Sequence, residues 1–167
     1  MATASGIQEL ASRLCMLCQQ QHVVLTTAES CTGGGVARAI TDVAGSSACF
    51  ETGYVTYANS AKQRLLGVSS VSLELFGAVS ETVVHEMVRG ACRDSGADLG
   101  VAVSGVAGPG GGTPDKPVGT VWLAWGNATQ SQARCYRLNG ERLEVRREAV
   151  ALALKGLIER LEERPFD

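Results

Sequence analysis

Three stretches of this chain hold residue types that do chemistry. The first is Glu29-Ser30-Cys31-Thr32-Gly33-Gly34. It follows the β-branched run Val23 to Thr27 and precedes the apolar-periodic segment Val36 to Ile40, so it reads as strand, tight loop and helix. A serine at such a junction lies near a helix N-terminus, where unpaired N–H groups and the dipole favour negative charge. That suits either a nucleophile with an oxyanion site or a phosphate cradle. The second stretch is Tyr57-Ala58-Asn59-Ser60-Ala61-Lys62, and the third is Ser104 to Thr113, with glycines at 105, 108, 110, 111 and 112.

A neutral serine is a weak nucleophile and needs a base. The two histidines are poorly placed: His22 falls at a helix end and His85 in the middle of a helix, both read as surface positions, so a Ser-His-Asp triad is disfavoured. Lys62 follows a predicted strand that can lie beside the strand of Ser30. A buried lysine loses pKa by desolvation and can act as a general base. The competing reading is a solvated helix lysine, the usual fate of that residue. Tyr57, at the end of the same strand, could relay a proton or orient Lys62. The pair is not the Y-x-x-x-K of short-chain dehydrogenases, because four residues intervene, and no G-x-G-x-x-G follows the first strand. The S-x-x-K of serine β-lactamases is absent too. The glycine-rich stretch directly follows a buried strand, where a ligand is expected in an α/β sheet.

The elements that position these residues alternate. The periodicity predicts a helix over about 5–21, a strand over 23–27 and a helix from Thr32 to about Asp42. A strand over 48–57, a short helix capped by Asn59 and ending at Gly67, and a brief helix over 70–76 follow. Ser80 caps a clearer helix that buries Val83, Val84, Met87, Val88, Ala91 and Cys92. Leu99 to Val103 reads as a strand buried on both faces, and 118–125 and 133–138 as a hairpin. A last helix from about Glu141 buries Leu143, Val150, Leu154, Leu157 and Leu161 and ends near Pro165. The pattern implies a single α/β domain over 1–167, a mixed, mainly parallel sheet with helices on both faces.

With 167 residues and a net charge of −2, the chain is long enough for one substantial core, and it has no polybasic run. Direct nucleic-acid binding is therefore disfavoured. No apolar segment is long enough to span a membrane and the N-terminus lacks a signal-peptide layout, which points to a cytoplasmic protein. Of the six cysteines, Cys15 and Cys18 form a C-x-x-C, but on one continuous helix with no second pair, so they read as small core residues. Cys49, Cys92 and Cys135 read the same way. Cys31 differs: beside Ser30 at a helix start, it is a minor candidate nucleophile.

Taken together, the three stretches resemble the CinA C-terminal-domain family, whose enzymatic members are nicotinamide mononucleotide deamidases. The matching segments are Thr27 to Gly34, Gly45-Ser46-Ser47, Gly53 to Tyr57, Asn59 to Lys62 and Leu65 to Val68, then Gly77 to Ser80, Gly105 to Gly111 and Lys116 to Val121. They run in order along nearly the whole chain, which looks like the stand-alone form rather than one joined to a pyrophosphatase domain. A departure is Gly140-Glu141-Arg142, where many relatives have Gly-Asp-Arg. The resemblance implies hydrolysis of nicotinamide mononucleotide to nicotinate mononucleotide and ammonia, without a metal or other cofactor. It implies Ser30 as nucleophile, Lys62 as base and Tyr57 as its supporting hydroxyl. Glu29, Thr32, Gly33 and Gly34, with Gly105, Ala107, Gly108, Gly110, Gly111 and Arg142, are then the expected oxyanion and substrate contacts. The implied partner is a small nucleotide, and the chain is expected to form a homo-oligomer. A non-catalytic nucleotide-binding member of the same fold is the alternative, and a DNA-uptake interaction protein a more distant one.

Overall fold

The computed structural model describes residues 1–163. Helix α1 (Ala4–Gln21) leads into β1 (Leu25–Glu29), α2 (Gly35–Thr41), β2 (Phe50–Val55), α3 (Asn59–Leu66), α4 (Ser70–Phe76) and α5 (Glu81–Ser95). Then come β3 (Leu99–Gly105), β4 (Thr120–Gly126), β5 (Ser131–Arg137) and α6 (Arg142–Glu163). The five strands form one mixed sheet in the order β2-β1-β3-β4-β5. β2, β1 and β3 run parallel; β4 and β5 are antiparallel additions on one side. The expected α/β architecture is therefore present, with a parallel half that carries the Ser30 strand at its centre.

Strand periodicity explains the two cores. On β3, Val101 and Val103 face one side and Ala102 the other, because successive side chains alternate. The first side buries Leu25, Val121, Leu123 and Trp125 against α1, α2 and α6. The second presents the small residues Ala28, Ala102 and Ala124 to Val83, Val84, Met87 and Val88 of α5. Small residues on that face let α5 lie close to the sheet.

Several expected boundaries shift for local reasons. β1 starts at Leu25 and continues to Glu29, since Ser30 still pairs its N–H with Val103 O at 2.9 Å. α2 starts at Gly35 and not at Thr32, because Gly33 and Gly34 adopt φ of +58° and +96°, a left-handed turn that helix geometry excludes. Ser46–Ala48 is a single 3₁₀ turn before β2. Asn59 is the first residue of α3 and does not cap it; Ala58 precedes it without a side-chain bond. Ser80 caps α5 as expected, accepting from Val83 N. Leu143 is 62% exposed, on the first turn of α6 before that helix meets the sheet. Cys135 is exposed on the outer strand, whereas Cys15, Cys18, Cys49 and Cys92 are buried. The expected helix end at Pro165 lies outside the described residues.

The approach of α3 to α5 needs a glycine. A Cβ at Gly90 would lie 1.9 Å from Leu66 O, so any side chain there pushes the C-terminal turn of α3 away. Gly90→Ala is expected to destabilise the protein by about 1–3 kcal/mol, the usual cost of overpacking, despite the better helix propensity of alanine. Urea unfolding measures that loss. Because Lys62 sits one turn earlier on α3, the same variant should also lose activity while still folded at low temperature.

Candidate active site

The tip of β1 is pinned on both sides. Ser30 N–H donates to Val103 O on β3, and Thr56 N–H, just past β2, donates to Glu29 O, each at 2.9 Å. Two neighbouring parallel strands thus fix the backbone that carries the Ser30 hydroxyl. The chain then turns sharply, with Gly33 N–H closing back on Ser30 O at 3.0 Å.

Glu29 does something the sequence did not suggest. It is fully buried, and its carboxylate accepts from Thr32 Oγ1 at 2.6 Å, Val36 N at 2.8 Å and Ala37 N at 3.0 Å. The first N–H groups of α2 are therefore satisfied by the protein's own anion, where the helix dipole favours it. Glu29 was expected among the oxyanion or substrate contacts, but its oxygens are engaged inside the loop. Thr32, Gly33 and Gly34 likewise do not line the cavity at Ser30; they shape the turn behind it.

From the opposite side, α6 supplies a guanidinium that sequence reasoning missed. Arg146 Nε donates to Cys31 O at 3.0 Å and Nη2 to Thr32 O at 3.4 Å. The Ser30 loop is thus held at its carbonyls by a cation and at the following N–H groups by a carboxylate. A Cβ on Gly33 would come within 3.1 Å of Arg146 Nη2, a second reason for glycine there. The signal was available, since Arg146 lies four residues after Arg142 and so on the same helix face.

Lys62 reaches this loop from α3. Its side chain is 1% exposed. Nζ lies 3.2 Å from Ser30 Oγ, 2.9 Å from Thr56 O and 3.0 Å from Tyr57 O. The solvated-helix reading of Lys62 is thereby excluded. Desolvation pushes its pKa below the ordinary lysine value, opposed by the nearby Cys31 sulfur only when that group is ionised. Two of its three partners are backbone carbonyls, which can only accept. The ammonium would donate to all three. The neutral amine has two hydrogens for the two carbonyls and a lone pair left for Ser30.

Tyr57 supports Lys62 through its carbonyl and not through its hydroxyl. Its ring is 61% exposed, and its hydroxyl accepts from Arg142 Nη2 at 3.2 Å. Arg142 Nη1 donates to Gly108 O at 2.8 Å. One arginine therefore ties the tyrosine to the glycine-rich loop. Together Ser30, Cys31, Tyr57, Gly105, Val106, Ala107, Gly108, Gly110, Gly111 and Arg142 line a cavity of about 280 Å³. Among the described residues, nothing accepts from the N–H groups of Ala107, Gly108, Gly110 and Gly111. They are donors available to a ligand, as expected of a glycine-rich loop beyond the C-terminal end of a strand.

Cys31 is buried, and burial pushes its thiol up to about 11, with Glu29 adding to the shift against Arg146 and Lys62. At neutral pH it is a thiol and not a thiolate, so it is a poor nucleophile. Cys31→Ala is expected to keep activity within about threefold of the parent. Complete loss of turnover in the folded variant would exchange its role with that of Ser30. Neither histidine lines the cavity: His22 ends α1 with φ of +56°, and His85 Nδ1 lies 2.5 Å from Ser131 Oγ. Among the described residues, no three His, Cys, Asp or Glu side chains form a metal-ligating set.

Comparison with known proteins identifies the family. Residues 7–161 match the family described as the CinA C-terminal domain. The chain is 56% identical over 153 residues to a protein named nicotinamide-nucleotide amidohydrolase PncC from Pseudomonas putida, covering 92% of this chain and 96% of that one. It is 48% identical over 158 residues to the protein of the same name from Escherichia coli K12, covering 93% and 94%. It spans only 36% of a CinA-like protein from Akkermansia muciniphila, at 52% identity over 87% of this chain. A solved structure of a competence-damaged protein (CinA) superfamily protein from Klebsiella pneumoniae superposes with a TM-score of 0.91 at 39% identity, covering 95% of this chain and 99% of that one. Motif order, fold and site geometry meet in one conclusion: the chain belongs to the CinA C-terminal domain family.

Proposed function

We propose that this protein is an amidohydrolase that cleaves the carboxamide of nicotinamide mononucleotide to nicotinate mononucleotide and ammonia. The observation that carries the reading is the contact of a fully buried Lys62 with Ser30 Oγ at 3.2 Å, held by two backbone carbonyls. The printed names of the relatives supply the substrate.

In this reading Ser30 O–H donates to the neutral Lys62 amine and Oγ attacks the amide carbon. The proton passes to Lys62 as the C–O bond forms. Loop N–H groups from Ala107 to Gly111 stabilise the oxyanion of the tetrahedral intermediate. Lys62 then returns the proton to the leaving nitrogen, the C–N bond breaks, and ammonia departs from an acyl-Ser30. Water, giving its proton to Lys62, hydrolyses the ester and restores Ser30. Acyl transfer of this kind needs no cofactor. In this reading Arg142 binds the phosphate; its position at the cavity wall beside Tyr57 and its guanidinium geometry support that role. In the same reading the enzyme acts in the cytoplasm as a homo-oligomer.

Incubating the purified protein with nicotinamide mononucleotide and measuring ammonia and nicotinate mononucleotide tests this directly. Equimolar release supports it. Binding of the nucleotide with no release would establish the alternative, a nucleotide-binding member without the chemistry.

A further inference from the structure

A cleft of about 710 Å³ lies apart from the one at Ser30. It lies where α5, the β4–β5 turn and the end of α6 meet. Gly126, which opens the turn, pairs with Gly100 at the start of β3, whereas Gly105 at the other end of β3 lines the Ser30 cavity. Five strand residues separate the two places, about 17 Å at the rise of a β-strand.

Its walls are polar and built in advance. Thr82, His85, Glu86 and Arg89 form one stripe of α5, spaced three, four and seven residues from Thr82. His85 joins that stripe to the turn through Ser131 Oγ at 2.5 Å. The turn itself is held by Asn127 Oδ1, which accepts from Thr129 N, Thr129 Oγ1 and Gln130 N at 2.9–3.0 Å. Arg160 closes the cleft from the other face of the sheet. Among the described residues, neither Arg89 nor Arg160 has a carboxylate partner. Glu86 lies on the same wall. One oxygen accepts from Ser69 N at 3.3 Å, and Oε2 is buried with no donor.

We propose that this cleft binds a phosphorylated sugar. Two unpaired guanidiniums reaching in from opposite faces of the sheet suit a phosphate, which they can grip with several charge-assisted hydrogen bonds. The hydroxyl and amide groups of Ser131, Gln130 and Gln132 suit sugar hydroxyls. The lining holds no Phe, Tyr or Trp, its one ring, His85, is tied to Ser131, and the two guanidiniums are taken by the phosphate, which leaves no free plane for a base. That favours a sugar phosphate over a nucleotide. The site is independent of the amidase reading, and binding there need not touch the chemistry at Ser30.

Imidazole NMR provides the test, because the chain has only two histidines. Ribose 5-phosphate added to the whole protein should move the His85 ring signals and leave those of His22 in place. A ligand held only at Arg142 would leave both unmoved, and that result would overturn the proposal. Arg89→Ala and Arg160→Ala should each weaken binding by about tenfold or more, as expected for loss of a charge-assisted contact, with amidase activity unchanged. Arg89→Lys should fall between, since it keeps the charge and loses the fork. Equal affinity in all three variants would remove the arginines from the site and the proposal with them. Inorganic phosphate alone should bind at least ~10-fold more weakly than the sugar phosphate. Equal affinity for the two would reduce the site to one for simple anions and overturn the assignment of the sugar.

Discussion

Ser30→Ala is expected to lower kcat for nicotinamide mononucleotide by at least ~10³, or ~4 kcal/mol of barrier, while the protein stays folded. In the proposed mechanism the size follows from losing the atom that forms the acyl-enzyme. What remains is the oxyanion and substrate contacts, which alone give a small fraction of the rate. The fold should survive because the hydroxyl adds little packing: Ser30 is held by its backbone, through Val103 O and Gly33 N. Lys62 keeps two carbonyl partners when the hydroxyl is gone. Steady-state ammonia release gives the rate. Circular dichroism and titration with nicotinamide mononucleotide show whether the variant still folds and binds. Turnover within tenfold of the parent in a folded, binding-competent variant would remove Ser30 as nucleophile.

The Ser30 loop shows which parts of such a site are written locally. A β-branched run, a small polar residue and paired glycines are a local code for strand, turn and helix, and the structure realises it with a shift of about two residues. The glycine loop after β3 was legible for the same reason: a continuous apolar run followed by glycines places a backbone-lined cavity at the end of a buried strand. The roles of Glu29 and Arg146 were not. Whether a carboxylate next to Ser30 faces the cavity or caps the helix behind it depends on side-chain direction within one turn. Whether an arginine 116 positions later reaches that turn depends on how α6 crosses the sheet. Tyr57 is the instructive case. Its position in the sequence was informative, but the group that holds Lys62 is its carbonyl, which any residue type would supply. Leu143 and Cys135 fail as core residues because helix and strand periodicity mark a face without saying where that face runs past its neighbour.

Lys62 carries the second large effect. The proposed mechanism needs a neutral amine, whereas lysine in water titrates near 10.4. Burial lowers that value here. kcat/KM should therefore rise tenfold per pH unit below the folded pKa of Lys62 and flatten above it. The same shift has a stability consequence of defined sign. Between the lowered folded pKa and about 10.4 the unfolded chain holds a proton that the native state has released, so through this group stability rises with pH in that window. The buried thiols act oppositely. Cys31 and Cys92, both pushed up to about 11 mainly by burial, keep their full contribution below the ordinary thiol pKa of about 8.5 and lose it as pH rises towards 11. The plateau in rate should accordingly be read below the pH at which the protein begins to unfold. Lys62→Met keeps the length of the side chain and removes the base; it should lose at least ~10³ in kcat at every pH. Lys62→Arg discriminates between mechanisms. Arginine retains a positive charge beside Ser30 but cannot accept a proton at accessible pH. General-base catalysis predicts that it fails as methionine does and that the ionisation disappears from the profile. If the lysine served only as a charge, arginine would restore much of the rate. Both variants should be checked for folding, since a guanidinium must fit where a side chain was 1% exposed. Substantial turnover by folded Lys62→Arg, with the parental pH profile, would rule out this lysine as the base.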